Sequence, residues 1–372
     1  MKYLGQPDYD HANPERMGIL VANLGTPDAP QTAEVRRYLA QFLSDPRIIE
    51  LPRWLWRIIL HGIILRIRPK RSAEAYRSVW SETEGSPLLS ISRKQTAAIQ
   101  NALQQRLGSN VVAVLGMRYG SPSMDEAIAE LERQQVRRML VLPMYPQYSG
   151  TTTASVFDEV TNRLQRTRWI PETRFINSYI DERKYIEALA ASVRKSWSEN
   201  GQADLLVTSY HGIPKRYLLN GDPYHCQCHK TTRLLRDALG LPEDKVKVVF
   251  QSRVGREPWL QPYCDETMKQ LPKQGVNSID IMCPGFSADC LETIEEINEE
   301  NREYFEHAGG ENFNYIPCLN DNPDIIDALT DLLVRHAQGW PEADHPQRDR
   351  SVEYQARKQQ EFKLRESEPA NT

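Results

Sequence analysis

Short apolar runs recur along the chain between longer segments with helical periodicity. The runs are apolar at nearly every position, which is typical of strands buried on both faces of a parallel sheet. They lie at residues 18–23, 111–117, 139–145, 174–179, 205–210, 246–251, 278–283 and 313–318. Their alternation with amphipathic helices predicts an α/β fold whose strands divide into two groups of four.

The two groups of strands lie in similar stretches of sequence, which indicates an internal repeat. Residues 175–189 and 315–329 align without gaps and share Ile, Asp, Ile, Ala and Leu at equivalent positions. Segments that begin at Gly18 and Asp204 also correspond, because each leads from an apolar run into a Gly-x-Pro turn. We therefore predict two similar doubly wound domains, each with a roughly four-stranded parallel sheet flanked by helices, with the active-site cleft between them.

The repeat also gives the expected domain boundaries. The first domain comprises residues 17–175 together with 320–340, and the second comprises residues 176–319. Residues 1–16 and 341–372 are expected to be tails. The second tail is highly charged and contains few aliphatic side chains, so we expect it to lie outside the core.

The charge balance and the glycine pattern exclude several classes of function. The chain has 46 Lys and Arg residues against 50 Asp and Glu residues, a net charge of −4, and no obvious basic face. We therefore expect no binding to nucleic acid. Neither half contains a G-x-G-x-x-G or G-x-x-x-x-G-K-[ST] fingerprint, so a nicotinamide-dependent oxidoreductase or a nucleotide hydrolase is not favoured.

The cysteine pattern and the N-terminal sequence favour a cytoplasmic location. The six cysteines do not form a dense framework, and the first residues lack a basic-then-apolar export signal. The most apolar window, residues 54–65, is interrupted by Arg57, His61 and Gly62 and is too short to span a bilayer. Three arrangements of this window remain open: a buried helix, a contact with a membrane surface, or the lip of an apolar cleft.

The best candidate for a general base is a histidine at a strand end. In doubly wound folds, ligands bind beyond the carboxyl ends of the strands. The run 205–210 leads directly into His211 and the turn 212–214, which aims the imidazole at the expected cleft. A structural histidine at the strand end is the alternative.

A row of acidic side chains follows another strand. On the helix predicted after residues 278–283, Glu292, Glu296 and Glu299 share one face at helical spacing. Such a row is either an ordinary solvated face or a route for protons or cations along a cleft. In the second case, His211 and Glu292 would form a sparse, open metal site.

Five segments together resemble the ferrochelatase family. They are LGTPD at 24–28, PQYSGTTT at 146–153, SYHGIP at 209–214, FQSR at 250–253 with Trp259, and CPGF with DCLET between 283 and 293. They occur in the family's order, and the resemblance, to the bacterial type, covers roughly residues 17–340. It implies two similar α/β domains and insertion of Fe2+ into protoporphyrin IX to give protohaem with release of two protons, the last step of haem biosynthesis.

The resemblance also implies roles for individual residues. His211 and Glu292 match the family's catalytic histidine and glutamate, and both would meet the metal. Glu296 and Glu299 would continue the route for protons or metal, and residues 54–65 would form the lip of the cleft. The residues expected to bind the porphyrin are Leu24, Arg68, Ser86, Tyr148, Ser149 and Trp259. Fe2+ is a substrate in this reaction, and no cofactor is required.

Cys226 and Cys228, with a histidine on either side, form a second candidate metal centre for zinc or for part of an iron–sulfur cluster. Some ferrochelatases carry a [2Fe-2S] cluster, but on cysteines in an added or inserted segment, and no cysteine follows Cys318 here. We therefore expect no such cluster and two reduced, structural cysteines. Many family members have histidine where this chain has Cys290, so no metal role transfers to that cysteine.

Two other functions remain as alternatives. One is a chelatase for another metal or tetrapyrrole, because the same histidine-and-acid chemistry would serve it. The other is a non-catalytic tetrapyrrole carrier, which would need the cleft but not both His211 and Glu292. The extent of the resemblance favours iron and protoporphyrin.

Overall fold

The computed structural model describes residues 3–6, 9–11, 13–255, 257–344 and 351–367. The strands are β1 (Arg16–Thr26), β2 (Val111–Gly120), β3 (Val136–Pro143), β4 (Glu172–Phe175), β5 (Leu205–His211), β6 (Val246–Gln251), β7 (Ser278–Met282) and β8 (Asn312–Ile316). In this part of the chain they form two four-stranded sheets, in the orders β2-β1-β3-β4 and β6-β5-β7-β8. All neighbouring strands in both sheets run parallel, which confirms the predicted fold class.

The two sheets repeat one topology. In each, the first strand of the half lies between the second and the third, and the fourth extends the sheet beyond the third. The repeat in the sequence therefore corresponds to a repeat in structure. The carboxyl end of β5 is His211, whose register partner on β6 is Gln251.

The helices cover the sheets and connect their strands. The α-helices are α1 (Thr32–Leu43), α2 (Arg53–Ile59), α3 (Leu65–Val79), α4 (Pro87–Leu107), α5 (Met124–Arg133), α6 (Thr153–Leu164), α7 (Arg183–Asn200), α8 (Lys215–Leu219), α9 (Tyr224–Leu239), α10 (Cys264–Gln270), α11 (Arg302–His307), α12 (Pro323–His336), α13 (Pro341–Asp344) and α14 (Ser351–Ser367). Two segments, Leu60–Ile64 and Glu292–Asn301, are π-helical, and short 3-10 turns lie at Glu243–Lys245 and Pro272–Gln274.

Local sequence signals explain where several helices begin. Ser123 accepts a hydrogen bond from the backbone N–H of Glu126, while the Glu126 side chain accepts from the Ser123 backbone, a complete capping box at the start of α5. Asn322 caps α12, and Pro323 occupies its first position, where no backbone N–H is needed.

One large apolar cluster joins the two halves. Side chains of α4, α7 and α12, among them Leu103, Leu189 and Leu329, are buried together with residues of both sheets. Helix α12, which follows the last strand of the second sheet, thus packs on α4 of the first half and on α7. The predicted boundaries between the domains stay predictions.

The C-terminal tail differs from the expectation. Glu342 is buried and forms a bidentate ion pair with Arg138 of β3, at 2.6 and 2.8 Å. Tyr354 is also buried, and its hydroxyl accepts a hydrogen bond from the backbone N–H of Glu15. The expectation that residues 341–372 lie outside the core is wrong at these two positions, because their burial rests on pairing rather than on aliphatic surface; residues 345–350 and 368–372 lie outside the described residues.

Candidate active site

His211 is held in one tautomer by its neighbour. Its Nδ1 lies 2.7 Å from the carbonyl oxygen of Gly212. A carbonyl oxygen can only accept, so Nδ1 carries the proton and Nε2 of the neutral ring keeps its lone pair. The imidazole is half-buried at the end of β5, which leaves Nε2 as its basic atom.

The turn after His211 has room only for glycine. A Cβ on Gly212 would lie 2.7 Å from the carbonyl oxygen of Gln251 and 3.1 Å from the ring of Trp259. Trp259 is also tied by its backbone to Pro214 in an isolated β-bridge. Its indole Nε1 is buried and has no hydrogen-bond partner among the described residues, so the indole stands beside the histidine with an unused donor.

The acidic row lies on a π-helix, not on the α-helix that its spacing predicted. The hydrogen bonds of a π-helix join residues five apart, so each turn holds more than four residues, and such segments are frequent at functional sites. The side chains of Glu292 and Glu296 are half-buried, whereas Glu299 is exposed. The expected single face of three glutamates therefore does not form. Roles for these residues in proton or metal transfer stay predictions.

Gln251 connects the end of β5 to the π-helical segment. The side chain is 2% exposed. Its Nε2 donates to the carbonyl oxygen of Glu292 at 2.8 Å, and its Oε1 accepts from the Ser209 hydroxyl at 2.7 Å. Its own carbonyl oxygen accepts from the N–H of Gly212 at 2.7 Å. Through its backbone and its side chain, one buried residue thus connects the histidine turn to the first glutamate.

Ser252 holds the carboxylate of Glu296. Its backbone N–H donates to Glu296 Oε1 at 2.7 Å, and its hydroxyl donates to Oε2. Ser252 adopts a left-handed backbone with φ of 62°, which is uncommon for a residue other than glycine and is found at functional sites. Burial raises the pKa of Glu296, although the bonds from Ser252 and, when the imidazole is protonated, the charge of His211 oppose that rise.

Two buried tyrosines stand near the first glutamate. Burial, followed by the charge of Glu292, raises the pKa of Tyr76 well above its usual range. Burial and the neighbouring Tyr76 and Glu292 also raise the pKa of Tyr38 well above its usual range. The Tyr38 hydroxyl donates to the carbonyl oxygen of Gly25. Both side chains remain neutral phenols. Burial and Glu292 also raise the pKa of Cys290, which therefore stays a buried thiol.

Asp289 anchors the chain just before the π-helical segment. Its Oδ1 accepts from the hydroxyls of Thr293 and Tyr315, at 3.1 and 2.5 Å. Its Oδ2 accepts from the Asn320 amide at 2.7 Å. From the other half of the molecule, the buried amide of Gln95 donates to the carbonyl oxygen of Asn320 at 2.7 Å. The start of the acidic segment is thus fixed by both halves.

The residues expected to bind porphyrin are placed in different ways. Leu24 packs against the buried cluster that contains Cys290, just before the acidic segment. Ser86 is buried at the start of α4, and Ser149 is fully buried with its hydroxyl donating to Asp222 at 3.0 Å.

The remaining two predicted porphyrin residues lie closer to solvent. The backbone N–H of Tyr148 donates to the Gln227 side chain at 2.7 Å, and the Tyr148 ring is half-buried. Arg68 is exposed on α3. The structure therefore places Trp259 against the turn after His211 and Arg68 within electrostatic reach of Glu292, and the roles of all six residues in binding porphyrin stay predictions.

The predicted lip is helical and only partly buried. Trp56, Leu60 and Leu65 face the core, whereas Trp54 and Ile58 are 69% and 64% exposed. The segment is therefore neither a fully buried helix nor a span. No helix in the described part of the chain is long and apolar enough to cross a bilayer.

The comparisons with known proteins identify the family of the chain. The sequence model of the Ferrochelatase family matches residues 16–337. The chain belongs to the ferrochelatase family. Similar relatives include the ferrochelatases of Marinobacter nauticus, at 58% identity over 91% of this chain and 92% of the relative, and of Thioalkalivibrio sulfidiphilus, at 55% over 92% and 93%. The ferrochelatase of Idiomarina loihiensis is 52% identical over 96% of this chain and 98% of its own.

Solved chelatases are similar to this chain only remotely. SirB from Bacillus subtilis with Fe3+ gives a TM-score of 0.49 at 12% identity, over 89% of this chain and 98% of that one. The assignment of the chain to the ferrochelatase family therefore rests on the family model and the similar sequences, not on the solved structures. Ferrochelatases insert Fe2+ into protoporphyrin in haem biosynthesis, and this chain is an enzyme of that class, a metal chelatase.

Several residues of this ferrochelatase site had no role in the sequence-based interpretation. Gln251 and Ser252 belong to the FQSR segment at 250–253, but nothing in the sequence shows that their side chains reach the acidic segment. Tyr38 and Tyr76 occupy apolar faces of amphipathic helices and look like ordinary core residues. Only Asp289 could have been proposed as a site residue from the sequence, because it lies in the turn between a strand and the acidic row.

Proposed function

We propose that His211 is the base that removes a pyrrole proton during metallation. Two N–H protons must leave the macrocycle before four nitrogen lone pairs can bind the metal. The observation that carries this proposal is the bond from His211 Nδ1 to the Gly212 carbonyl, which places the proton of the neutral ring on Nδ1 and the lone pair on Nε2. A neutral imidazole with one free lone pair is suited to general-base catalysis near neutral pH.

Glu292 and Glu296 are proposed to take protons onward or to guide the cation. Glu296 has a raised pKa and lies within electrostatic reach of His211, so a proton taken up by the imidazole affects this carboxyl group. A carboxyl group with a raised pKa accepts a proton more readily than a free glutamate does. The balance is one Fe2+ taken up and two protons released, with no change in oxidation state.

The described residues contain no group of three or more His, Cys, Asp or Glu side chains arranged to hold a metal ion. His211 and Glu292 are therefore proposed as a sparse site that meets iron together with the porphyrin nitrogens. A sparse site suits an ion that must be delivered rather than retained. Iron enters here as a substrate.

The porphyrin is proposed to lie against Leu24 and Trp259. Apolar burial contributes roughly 25 cal/mol per Å2, which can offset the bending of a flat ring. Arg68 is exposed and makes no ion pair within the described ranges, so it can bind a propionate at the mouth. Ser149 and Ser86 are proposed to act through the backbone that they support, because both are buried.

We propose that the enzyme requires no iron–sulfur cofactor. On α9, Cys226 is exposed whereas Cys228 is buried, so their thiols point apart. Of the other four, Cys264, Cys283 and Cys318 are buried in one apolar cluster, but no group of three or more His, Cys, Asp or Glu side chains among the described residues is arranged to hold a metal ion. This set does not fit a [2Fe-2S] cluster. All six thiols are free, which supports a proposed cytoplasmic location.

The lip is proposed to touch an anionic membrane surface transiently. Residues 51–70 contain no acidic side chain, and exposed arginines flank the exposed Trp54 and Ile58. Apolar side chains with basic neighbours are typical of interfacial helices. Vesicles with phosphatidylglycerol should co-sediment the wild type more than the variant W54S/I58S, while Ile170→Ser, an exposed residue elsewhere, should bind normally. Equal sedimentation of all three would remove this contact.

The deciding experiment is anaerobic incubation with protoporphyrin IX and Fe2+, followed by the haem absorption spectrum. Wild type should produce protohaem, and His211→Ala should bind porphyrin with metallation almost abolished. Porphyrin binding without metallation in wild type would favour the carrier. Faster insertion of Co2+, or of iron into another tetrapyrrole, would favour a different chelatase.

A further inference from the structure

The histidines beside the two α9 cysteines form a pair that the catalytic site does not use. His225 and His229 are four residues apart, so they occupy the same face of α9. Their ring centroids are 4.5 Å apart, with the planes tilted by 50°. Both rings also pack against Phe250, at 5.7 and 6.3 Å between centroids.

The ring nitrogens of His225 and His229 have no hydrogen-bond or ion-pair partner among the residues that the structure describes. Both side chains are half-buried, so solvent reaches them. Two adjacent imidazoles are thus positioned by packing against one aromatic ring, with their nitrogens unpaired.

The spacing of the rings matches that of two imidazoles bound to one ion. With metal–nitrogen bonds of roughly 2.1 Å, each ring centroid lies about 3.2 Å from the ion, so the two centroids lie about 4.5 Å apart when the bonds make a right angle and about 5.2 Å apart at the tetrahedral angle of zinc. The observed separation is 4.5 Å. Histidines at positions i and i+4 of a helix are a recurrent zinc-binding pair.

This pair is separate from the catalytic centre. Phe250 and Gln251 are consecutive on β6, and consecutive strand residues point to opposite faces of the sheet. Phe250 faces α9, whereas Gln251 reaches the π-helical segment. An ion on the α9 pair would therefore lie across the sheet layer from the acidic row.

We propose that His225 and His229 bind a borderline divalent transition ion, of the zinc, nickel or copper class. Imidazole suits these ions, and the two histidines supply two ligands of a site completed by water. Lys230 already pairs with Asp181, at 2.5 Å, so its charge is partly neutralised. The charge of Arg233 acts on His229 and limits the affinity.

Zinc binding measured by equilibrium dialysis tests the proposal, in a His211→Gln background that weakens the catalytic site. The parent should bind one equivalent of Zn2+. Adding His225→Gln or His229→Gln should weaken that binding at least tenfold, whereas adding His307→Gln, an exposed histidine on α11, should not. All variants keep Cys226, so a thiol contributes equally to each.

Thermal unfolding of each variant shows whether the packing on Phe250 survives. Because the two histidines are replaced separately, a folding defect in one variant does not prevent the test in the other. Loss of the zinc equivalent from a variant with the parent's melting temperature supports the pair. Retention of that equivalent in both variants, or its absence from the parent, overturns the proposal. The outcome does not depend on the role of His211, since the experiment measures binding and not metallation.

Discussion

The side-chain nitrogen of Gln251 lies 2.8 Å from the carbonyl oxygen of Glu292. The carbonyl oxygen of Gln251 accepts from Gly212, the residue after His211. A single residue on β6 thus connects the turn after His211 to Glu292. Its burial means that no water can replace these bonds without rearrangement.

We expect Gln251→Met to misplace Glu292 while leaving the apolar cleft intact. The change removes the donor to Glu292 and the acceptor for Ser209, so kcat should fall roughly 10- to 100-fold with little change in KM for porphyrin. The free energy of unfolding should fall by about 1–3 kcal/mol, because buried polar groups lose their partners. Steady-state kinetics and urea unfolding measure the two effects. A stability loss with normal kcat would show a purely structural role.

Ser252 allows its backbone strain to be separated from its hydroxyl. Ser252→Ala and Ser252→Gly both remove the donor to Glu296 Oε2, so both should reduce kcat similarly. Only glycine adopts the left-handed backbone without cost, so the glycine variant should be more stable than the alanine variant by about 1 kcal/mol. Chemical denaturation compares them. If the alanine and glycine variants were equally stable, the backbone of Ser252 would not be strained. If their kcat values differed, the loss of the hydroxyl could not be the common cause of the reduced activity.

The raised pKa of Glu296 predicts a pH-dependent cost to folding. Because its pKa in the folded protein lies above its usual value of 4.5, ionising this carboxyl destabilises the fold. The cost is absent at low pH, where the group is protonated in both states, and complete above the folded-state pKa. Glu296→Gln should therefore raise the melting temperature at pH 7 and leave it unchanged near pH 4. A gain independent of pH would show that packing, not ionisation, is responsible.

The fold could be predicted from sequence because strands buried on both faces are recognisable as continuous apolar runs. His211 could be predicted because one such run ends at it. The contacts of Gln251 and Ser252 could not, since they join segments about 40 residues apart. The π-helix was also missed: the spacing of its glutamates fits an α-helix, and the wider turn is apparent only from the backbone.

The ion pair between Glu342 and Arg138 predicts that the C-terminal segment contributes to stability. Glu342→Gln leaves the half-buried guanidinium of Arg138 with Glu15 alone, so the free energy of unfolding should fall by about 2 kcal/mol. Metallation at 25 °C should be nearly normal, because the pair lies on β3 away from the described site. Glu353→Gln, in an exposed pair with Arg357, is the matched control and should cost much less. Equal melting temperatures for wild type and Glu342→Gln would mean that the C-terminal segment does not stabilise the fold through this ion pair.

The three glutamates should differ in importance in the order that the π-helix imposes. Glu292 receives the Gln251 bond at its carbonyl and lies near Tyr76, so Glu292→Gln should lower kcat at least roughly 100-fold, the lower range for a lost acid–base group. Glu296→Gln keeps an oxygen for the Ser252 N–H but loses the charge, so its effect should be smaller. Glu299 is exposed, and Glu299→Gln should be nearly silent.

An α-helical row would instead give a graded loss that still includes Glu299, because all three side chains would then share one face. Measuring kcat for anaerobic Fe2+ insertion in the three variants distinguishes these arrangements. A strong defect in Glu299→Gln would mean that the segment rewinds to α-helical spacing when substrate binds. Three harmless replacements would reduce the row to an ordinary solvated face, and the protons would then have to leave His211 by another route.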